Sequence, residues 1–216
     1  MTSTIHADKI MNSSGDQDSG LDLLVNDQVK IKTANTDRIT VTDTTTTVAN
    51  NLDVTGSLTA PGVFINAVSA SKTDAQSNAT NNSFTDISGL TVTITPKSTS
   101  SKILLLCNIS LSAASDATGR AFKVLRGSTP IGVGNDGSRP QVSFFASPMG
   151  ADGNMQGTTS WHFLDSPSST SALTYKVQIS GFNAGVTTWI NRNQNGNGQP
   201  YDCIASSNIT AIEVAG

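Results

Sequence analysis

The chain has 216 residues, 13% of them charged, with a formal net charge of -3 and abundant Thr, Ser, Asn and Gly. Strong helix formers are scarce, Glu213 is the only glutamate, and β-branched and turn residues dominate, which points to an all-β protein. This composition excludes the basic footprint that nucleic acid requires, and no apolar run approaches the roughly 20 residues of a membrane helix, so neither nucleic-acid binding nor membrane insertion is expected.

The opening MTSTIHADKI lacks the basic and then apolar regions of a signal peptide, and residues 1–20 are polar, with a short apolar anchor at Ile5 and Ile10–Met11. Short strand-like pieces follow at Leu21–Val25, Val29–Thr33, Arg38–Asp43, Thr47–Val48, Leu52–Val54 and Ser57–Thr59, separated by Asn26–Asp27, Asn35, Asp43, Asn50–Asn51 and Gly56. The spacing makes an irregular short repeat. Seven threonines fall between Thr36 and Thr47. Alternation at Ile39–Val41 and Leu52–Val54 leaves one thin apolar line on one face.

Ordering a residue costs on the order of 1–2 kcal/mol, and one buried Val or Leu returns about 1.5–3 kcal/mol. With about one such residue in three, a single ribbon does not offset its own ordering. Either the segment is disordered, or several copies wrap so that the thin lines face each other. The regular spacing favours the wrapped homo-oligomer.

Pro61–Gly62 breaks the pattern. Val63–Val68 reads as a connector strand and Ser71–Asn82 as a polar linker, with a compact domain from residue 83 onward. Leu90–Ile94 alternates cleanly. In Lys102–Leu111, Ile103, Leu105, Cys107, Ile109 and Leu111 share one face, while Leu104 and Leu106 point the other way. A strand apolar on both faces is expected to be covered twice, by the core and by another layer or subunit. Further strands are predicted at Arg120–Arg126, Gln141–Phe145, Thr158–Leu164, Leu173–Ser180, Val186–Asn191 and Asn208–Val214. Eight or so antiparallel strands without a helix pattern predict a two-sheet, jelly-roll-like β-sandwich.

Chemistry is sparse. Cys107 and Cys203 are too few for a disulfide framework and read as reduced, with Cys107 in the core. His6 and His162 show no ligand spacing, and Asp16–Asp18–Asp22 lacks the Gly and terminal Glu of a calcium loop. No metal or cofactor is expected. No G-x-S-x-G elbow is present, and the Gly-rich GVGNDG at Gly132–Gly137 reads as a hairpin turn. Glycan cleavage would need two carboxylates about 5–10 Å apart, and the acids here lie in different segments.

Recognition remains. Trp189–Asp202, WINRNQNGNGQPYD, sets Trp189 and Tyr201 around a polar loop with Asn191, Arg192, Asn193, Gln194, Asn195 and Asn197. Aromatic rings stack on sugar C–H faces, and amides and Arg bond the hydroxyls. The alternative for Trp189 is a core position at a strand end. Phe144–Phe145 is a second candidate, because adjacent residues of a strand face opposite sides.

The segments SFTDISGLTVTITPKSTSSKILLLCNISLS, AFKVLRGSTPIG, FLDSPSSTSALTYKVQISG, INR and SSNITAIEV, in that order over Ser83–Val214, resemble the C-terminal receptor-binding domain of tail fibre proteins of tailed bacteriophages, especially cyanophages and other marine phages. NLDVTGSLTAPG resembles an element of phage fibre stems, and IHADKIMNSSG the start of such proteins. The resemblance implies a homotrimeric virion fibre: residues 1–20 attach to a tail or baseplate protein, 21–62 form an extended intertwined β stem, 63–82 connect, and 83–216 form the head. The stem contacts would be Ile39, Val41, Val48, Leu52, Val54 and Leu58. The head would bind a host surface glycan or outer-membrane receptor, without catalysis, through Trp189, Arg192, Asn193, Asn195, Tyr201, Phe144 and Phe145. A head-decorating or baseplate-spacer fibre is the alternative, and a glycan-cleaving tailspike-like enzyme the second.

Overall fold

The computed structural model describes residues 62–113, 119–147, 153–183 and 185–216, together with five strands of the N-terminal region. The chain divides into two compact units, Met1–Ser57 and Leu58–Gly216. All described regular structure is β-strand, paired antiparallel.

In the first unit β1 (Lys9–Met11), β2 (Gly20–Asp22), β3 (Gln28–Thr33), β4 (Thr36–Thr42) and β5 (Thr46–Val48) form one sheet in chain order. The register sets Ile10, Leu21, Ile31, Ile39 and Val48 in a single cross-strand row, with Val29 opposite Val41 beside it. Lone apolar residues of successive strands thus share one register row within the chain. Ile39 and Val48 are half-buried. Leu52, Val54 and Leu58 lie outside the described residues.

The second unit stacks two sheets. The smaller runs β11 (Thr129–Ile131), β10 (Arg120–Arg126), β14 (Leu173–Ser180), β8 (Thr85–Ile94), and β12 (Phe144–Ala146) also pairs with β10. The larger is built on β9 (Lys102–Ala113), whose one edge is taken by β13 (Gly157–Asp165). Its other edge is shared by two shorter strands, β15 (Thr188–Ile190) and β16 (Ser207–Val214). These pair in turn with β7 (Gln76–Asn78) and β6 (Phe64–Lys72). The connector expected over 63–82 therefore carries two strands of the larger sheet. Its alternating residues satisfy the edge of the C-terminal strand, which would otherwise stay unpaired.

Alternation builds the core. Ile103, Leu105, Cys107, Ile109 and Leu111 face Leu90, Val92, Ile94, Phe122, Val124, Tyr175, Val177 and Ile179 of the other sheet, all buried. Burial pushes the Cys107 thiol up to about 12, and Cys107 and Cys203 are both free thiols. Polar bonds pin the sheets together at both ends. At one end buried Asp165 accepts from Arg126 Nη1 at 2.8 and 2.9 Å and from the Tyr175 hydroxyl at 2.7 Å. At the other, Arg120 Nε donates to Thr188 Oγ1.

Where β15 gives way to β16, the ladder along β9 would break at Ser110. Asn191, fully buried at φ 67°, closes it. Its N–H donates to Ser110 O at 2.9 Å and its carbonyl accepts from Ala205 N at 2.7 Å. Its Nδ2 donates to Lys72 O (2.8 Å) and Asp74 O (2.9 Å), bridging the matching break between β6 and β7. Its Oδ1 accepts from Ser207 Oγ at 2.6 Å, and Ser207 Oγ accepts from Ser110 N at 3.0 Å. Asn tolerates this left-handed backbone better than most residues.

Asn191→Ala leaves two carbonyls and a buried hydroxyl without their partner, at about 1–3 kcal/mol for each unmet group. A loss of at least about 3 kcal/mol is expected from urea unfolding, and Asn191→Asp should be as harmful, because it points an acceptor at two carbonyls. A shift below about 1 kcal/mol would contradict the junction role.

Candidate functional site

Strand register sorts the loops of the second unit. Residue 62 enters beside the C-terminus, with Gly62 N donating to Ala215 O at 2.8 Å and Ala215 N to Val63 O at 2.8 Å. The segment 95–101 lies at this same end, where Ser100 Oγ donates to Gly216 O at 3.1 Å. The last residues of β9 and β14 and the first residues of β13 and β15 lie at the opposite end, as do 79–84 and 191–206. Trp189, Arg192, Asn193, Asn195, Tyr201 and Phe145 all map to that far end, although the sequence separates Phe145 from the rest.

Residues 191–206 are an insertion between two collinear strands, folded over the outer face of β9. Buried Ser112 donates from Oγ to Arg192 O at 2.9 Å, and Gln156 Nε2 donates to Ser110 Oγ at 2.7 Å. Asn193 is buried and structural, donating from Nδ2 to Asp202 Oδ1 at 3.0 Å and over 3.4 Å to Tyr201 O and Asn154 O. Asn195 is likewise tied down, its Nδ2 donating to Asn154 Oδ1 at 2.9 Å and its N–H to Gly153 O at 3.0 Å. Gly153 permits this approach, since a Cβ there would meet the Asn195 amide at 2.7–2.9 Å. These two residues therefore shape the loop, where the sequence suggested hydroxyl ligands. Tyr201 is 53% exposed and presents its ring at the surface.

Trp189 alternates outward between buried Thr188 and Ile190. Its ring carries the Arg192 guanidinium, whose Cζ lies 5.7 Å from the ring centroid. Trp189, Arg192, Ala75, Gln76 and Ser77 line a recess of about 210 Å³.

Phe144 and Phe145 divide as strand alternation requires. Phe144 stacks inward on Phe122 (4.5 Å between centroids) and on Trp161 (5.9 Å), so it belongs to the core and leaves the candidate surface. Phe145 is 58% exposed and stacks on Phe182 at 6.1 Å. Gly119 makes room for that ring, because a Cβ would run into Phe145 and into Ala146 O. Sequence reasoning missed Phe182, whose signal was an aromatic set in the Gly/Asn-rich GFNAG. It also missed Asp202 as an organiser. Asp202 Oδ2 accepts from Asn197 N (2.7 Å) and Gln199 N (3.0 Å).

Among the described residues, no group of three His, Cys, Asp or Glu side chains converges, and His162 is exposed on β13. In GVGNDG, Gly132 and Gly137 take the left-handed backbone, whereas Asn135 and Asp136 do not.

No protein-family model matches the chain, and no curated protein matches it. Among solved structures the chain is similar to one titled "Structure of infectious bursal disease virus Gx strain", at 11% identity and a TM-score of 0.29, over 89% of this chain and 51% of that one. The chain thus spans about half of that neighbour's length, and a likeness at this level carries no functional argument.

The Asp202 carboxyl is held below the usual carboxylate range, first by the Gln199 backbone N–H and then by the Asn193 amide. Its support for the loop is therefore complete above the ordinary value of 3.8 and is lost as pH falls through the lower folded value. Protection factors at Asn197 and Gln199, corrected for the intrinsic pH dependence of exchange, should hold from neutral pH to about 4 and fall only as pH drops through the lowered carboxyl value. Asp202→Asn should show the faster exchange already at neutral pH.

Proposed function

We propose that the chain is a non-catalytic adhesive fibre of a phage virion, homotrimeric, attached to a tail or baseplate protein by its N-terminal residues. It binds a host surface glycan or outer-membrane receptor with the far end of its β-sandwich. The observation that carries this reading is the gathering of Phe145–Phe182, Tyr201 and the Trp189–Arg192 pair at the end opposite to where residue 62 enters. Exposed aromatics beside a polar loop suit sugar recognition.

The homotrimer is supported by an apolar row that a single chain leaves open. On the outer face of the larger sheet, Leu164, Leu104, Ile212 and Ala67 share a row, beside Leu106 at 40% and Phe64 at 65% exposure. Contiguous exposed apolar surface marks contact with another molecule, and three copies multiply one weak site, with avidity gains of roughly 10²–10⁴.

Adhesion without cleavage is supported by how the described carboxylates are used. Asp74 holds Lys72, Asp86 holds Lys176 and Gln178, Asp165 holds Arg126 and Tyr175, and Glu213 accepts from Lys97 N. Asp136 holds Arg139 and Asp202 holds Asn193, so each described carboxylate has a partner of its own, an arrangement that suits structural rather than acid–base use.

Saturating free protein should block adsorption of the phage to its host, and sedimentation should give three times the chain mass. Phe145→Ala and Phe182→Ala should leave the melting temperature nearly unchanged, since surface substitutions cost about 0.5 kcal/mol or less, yet weaken the block at least tenfold. A monomer in sedimentation sinks the fibre reading, and an adsorption rate indifferent to the free protein sinks the receptor role.

A further inference from the structure

The Arg192 guanidinium is anchored but underused. It rests on the Trp189 ring, and among the described residues its one hydrogen bond is from Nη2 to Gln194 O, long at 3.3 Å. Its Nε–H is buried without an acceptor among the described residues. An arginine offers five donors in a rigid fork, and a buried donor left unmet costs about 1–3 kcal/mol. The guanidinium is therefore oriented in advance, with its Nη1 and Nη2 edge, rather than the enclosed Nε, left to bond a ligand.

The surroundings suit one small anion. Ser77, register partner of Trp189, is exposed, and its hydroxyl has no partner among the described residues. Gln76, by contrast, is engaged, accepting from Ser88 N at 2.9 Å and donating to Asp86 O at 3.2 Å, so it forms a fixed wall. Arg192 is the only charged residue lining the recess. The recess, about 210 Å³, is below the roughly 300–1,000 Å³ of pockets for drug-sized ligands, which suits a single monosaccharide-sized group. A flat carboxylate accepts two parallel N–H bonds from a guanidinium, a match that lysine does not offer. Because Arg192 covers the Trp189 ring, that ring is the seat of the cation, and sugar stacking falls to the exposed aromatics.

We propose that the recess bounded by Ala75, Ser77, Trp189 and Arg192 is a carboxylate subsite, selecting acidic sugars over neutral ones. The proposal rests on the adhesion reading for its biological use, but its chemistry is testable apart from it. The full chain, with isotope-labelled tryptophan indoles, is titrated with methyl glucuronoside, methyl glucoside and a glucose phosphate. The glucuronoside should shift the Trp189 indole signal, leave Trp161 in place, and bind at least tenfold tighter than either other sugar. Arg192→Gln should lose at least tenfold and Arg192→Lys somewhat less, with melting temperature as the control for folding. Should Arg192→Gln not fold, Ser77→Glu, at an exposed position, sets a carboxylate in the recess and should abolish glucuronoside binding. Equal binding of glucuronoside and glucoside overturns the proposal, as does equal binding of the phosphate, or full binding by Arg192→Gln or Ser77→Glu. The adhesion reading fails separately: protein that binds glucuronoside but does not block adsorption retains the subsite and loses the receptor role. Protein that blocks adsorption equally well as Arg192→Gln, with no glucuronoside preference, does the reverse.

Discussion

The Asn191 junction is the constraint on which the larger sheet depends. β9 is twelve residues long, and neither β15 nor β16 is long enough to pair with all of it. At the seam, main-chain groups of four segments lose their ladder partners together, inside the protein, where an unmet polar group is expensive. Asn191, with its left-handed backbone and its side chain, answers most of them, and the Ser207 hydroxyl it holds takes Ser110 N. The same seam ejects residues 192–206 from the sheet, so the loop that displays Arg192 and Tyr201 exists because the strand is interrupted there.

A similar economy governs the charges. In a chain so poor in them, Lys72, Arg120, Asp165 and Glu213 are all buried. They hold strand ends and sheet edges together at places where hydrocarbon contacts run out. Each makes at least one hydrogen bond, because bare burial of a charge is prohibitive. Arg192 differs from these buried groups, being a half-buried cation set against an aromatic face with most of its donors unspent.

Much of the sandwich was legible, because period-two alternation is a local property of strands buried on one side. Leu90–Ile94 and Lys102–Leu111 carry it plainly, and the structure keeps them as β8 and β9. By contrast, β7 and β11 are three-residue strands of Gln-Ser-Asn and Thr-Pro-Ile, with no hydrophobic signal to read. The site was half legible. Alternation separated Phe145 from Phe144 in advance, but which ring faced outward depended on the opposing sheet. Asn193 and Asn195 looked like ligands because a free amide and a loop-bracing amide have the same sequence signature. Their partners, Asn154 and Asp202, include one some 40 residues away in the chain.

By itself, then, the sequence determined the all-β class, the core face of the central strands and the rich supply of turns. Those follow from side-chain branching, polarity and spacing, which act between near neighbours. Chain closure settled that Phe64–Lys72 and Gln76–Asn78 join the larger sheet, that Ile10, Leu21, Ile31, Ile39 and Val48 share one register row, and that Trp189 supports Arg192. Each of these is a pairing between distant segments, set by which backbone groups and rings must be satisfied together when the chain closes on itself.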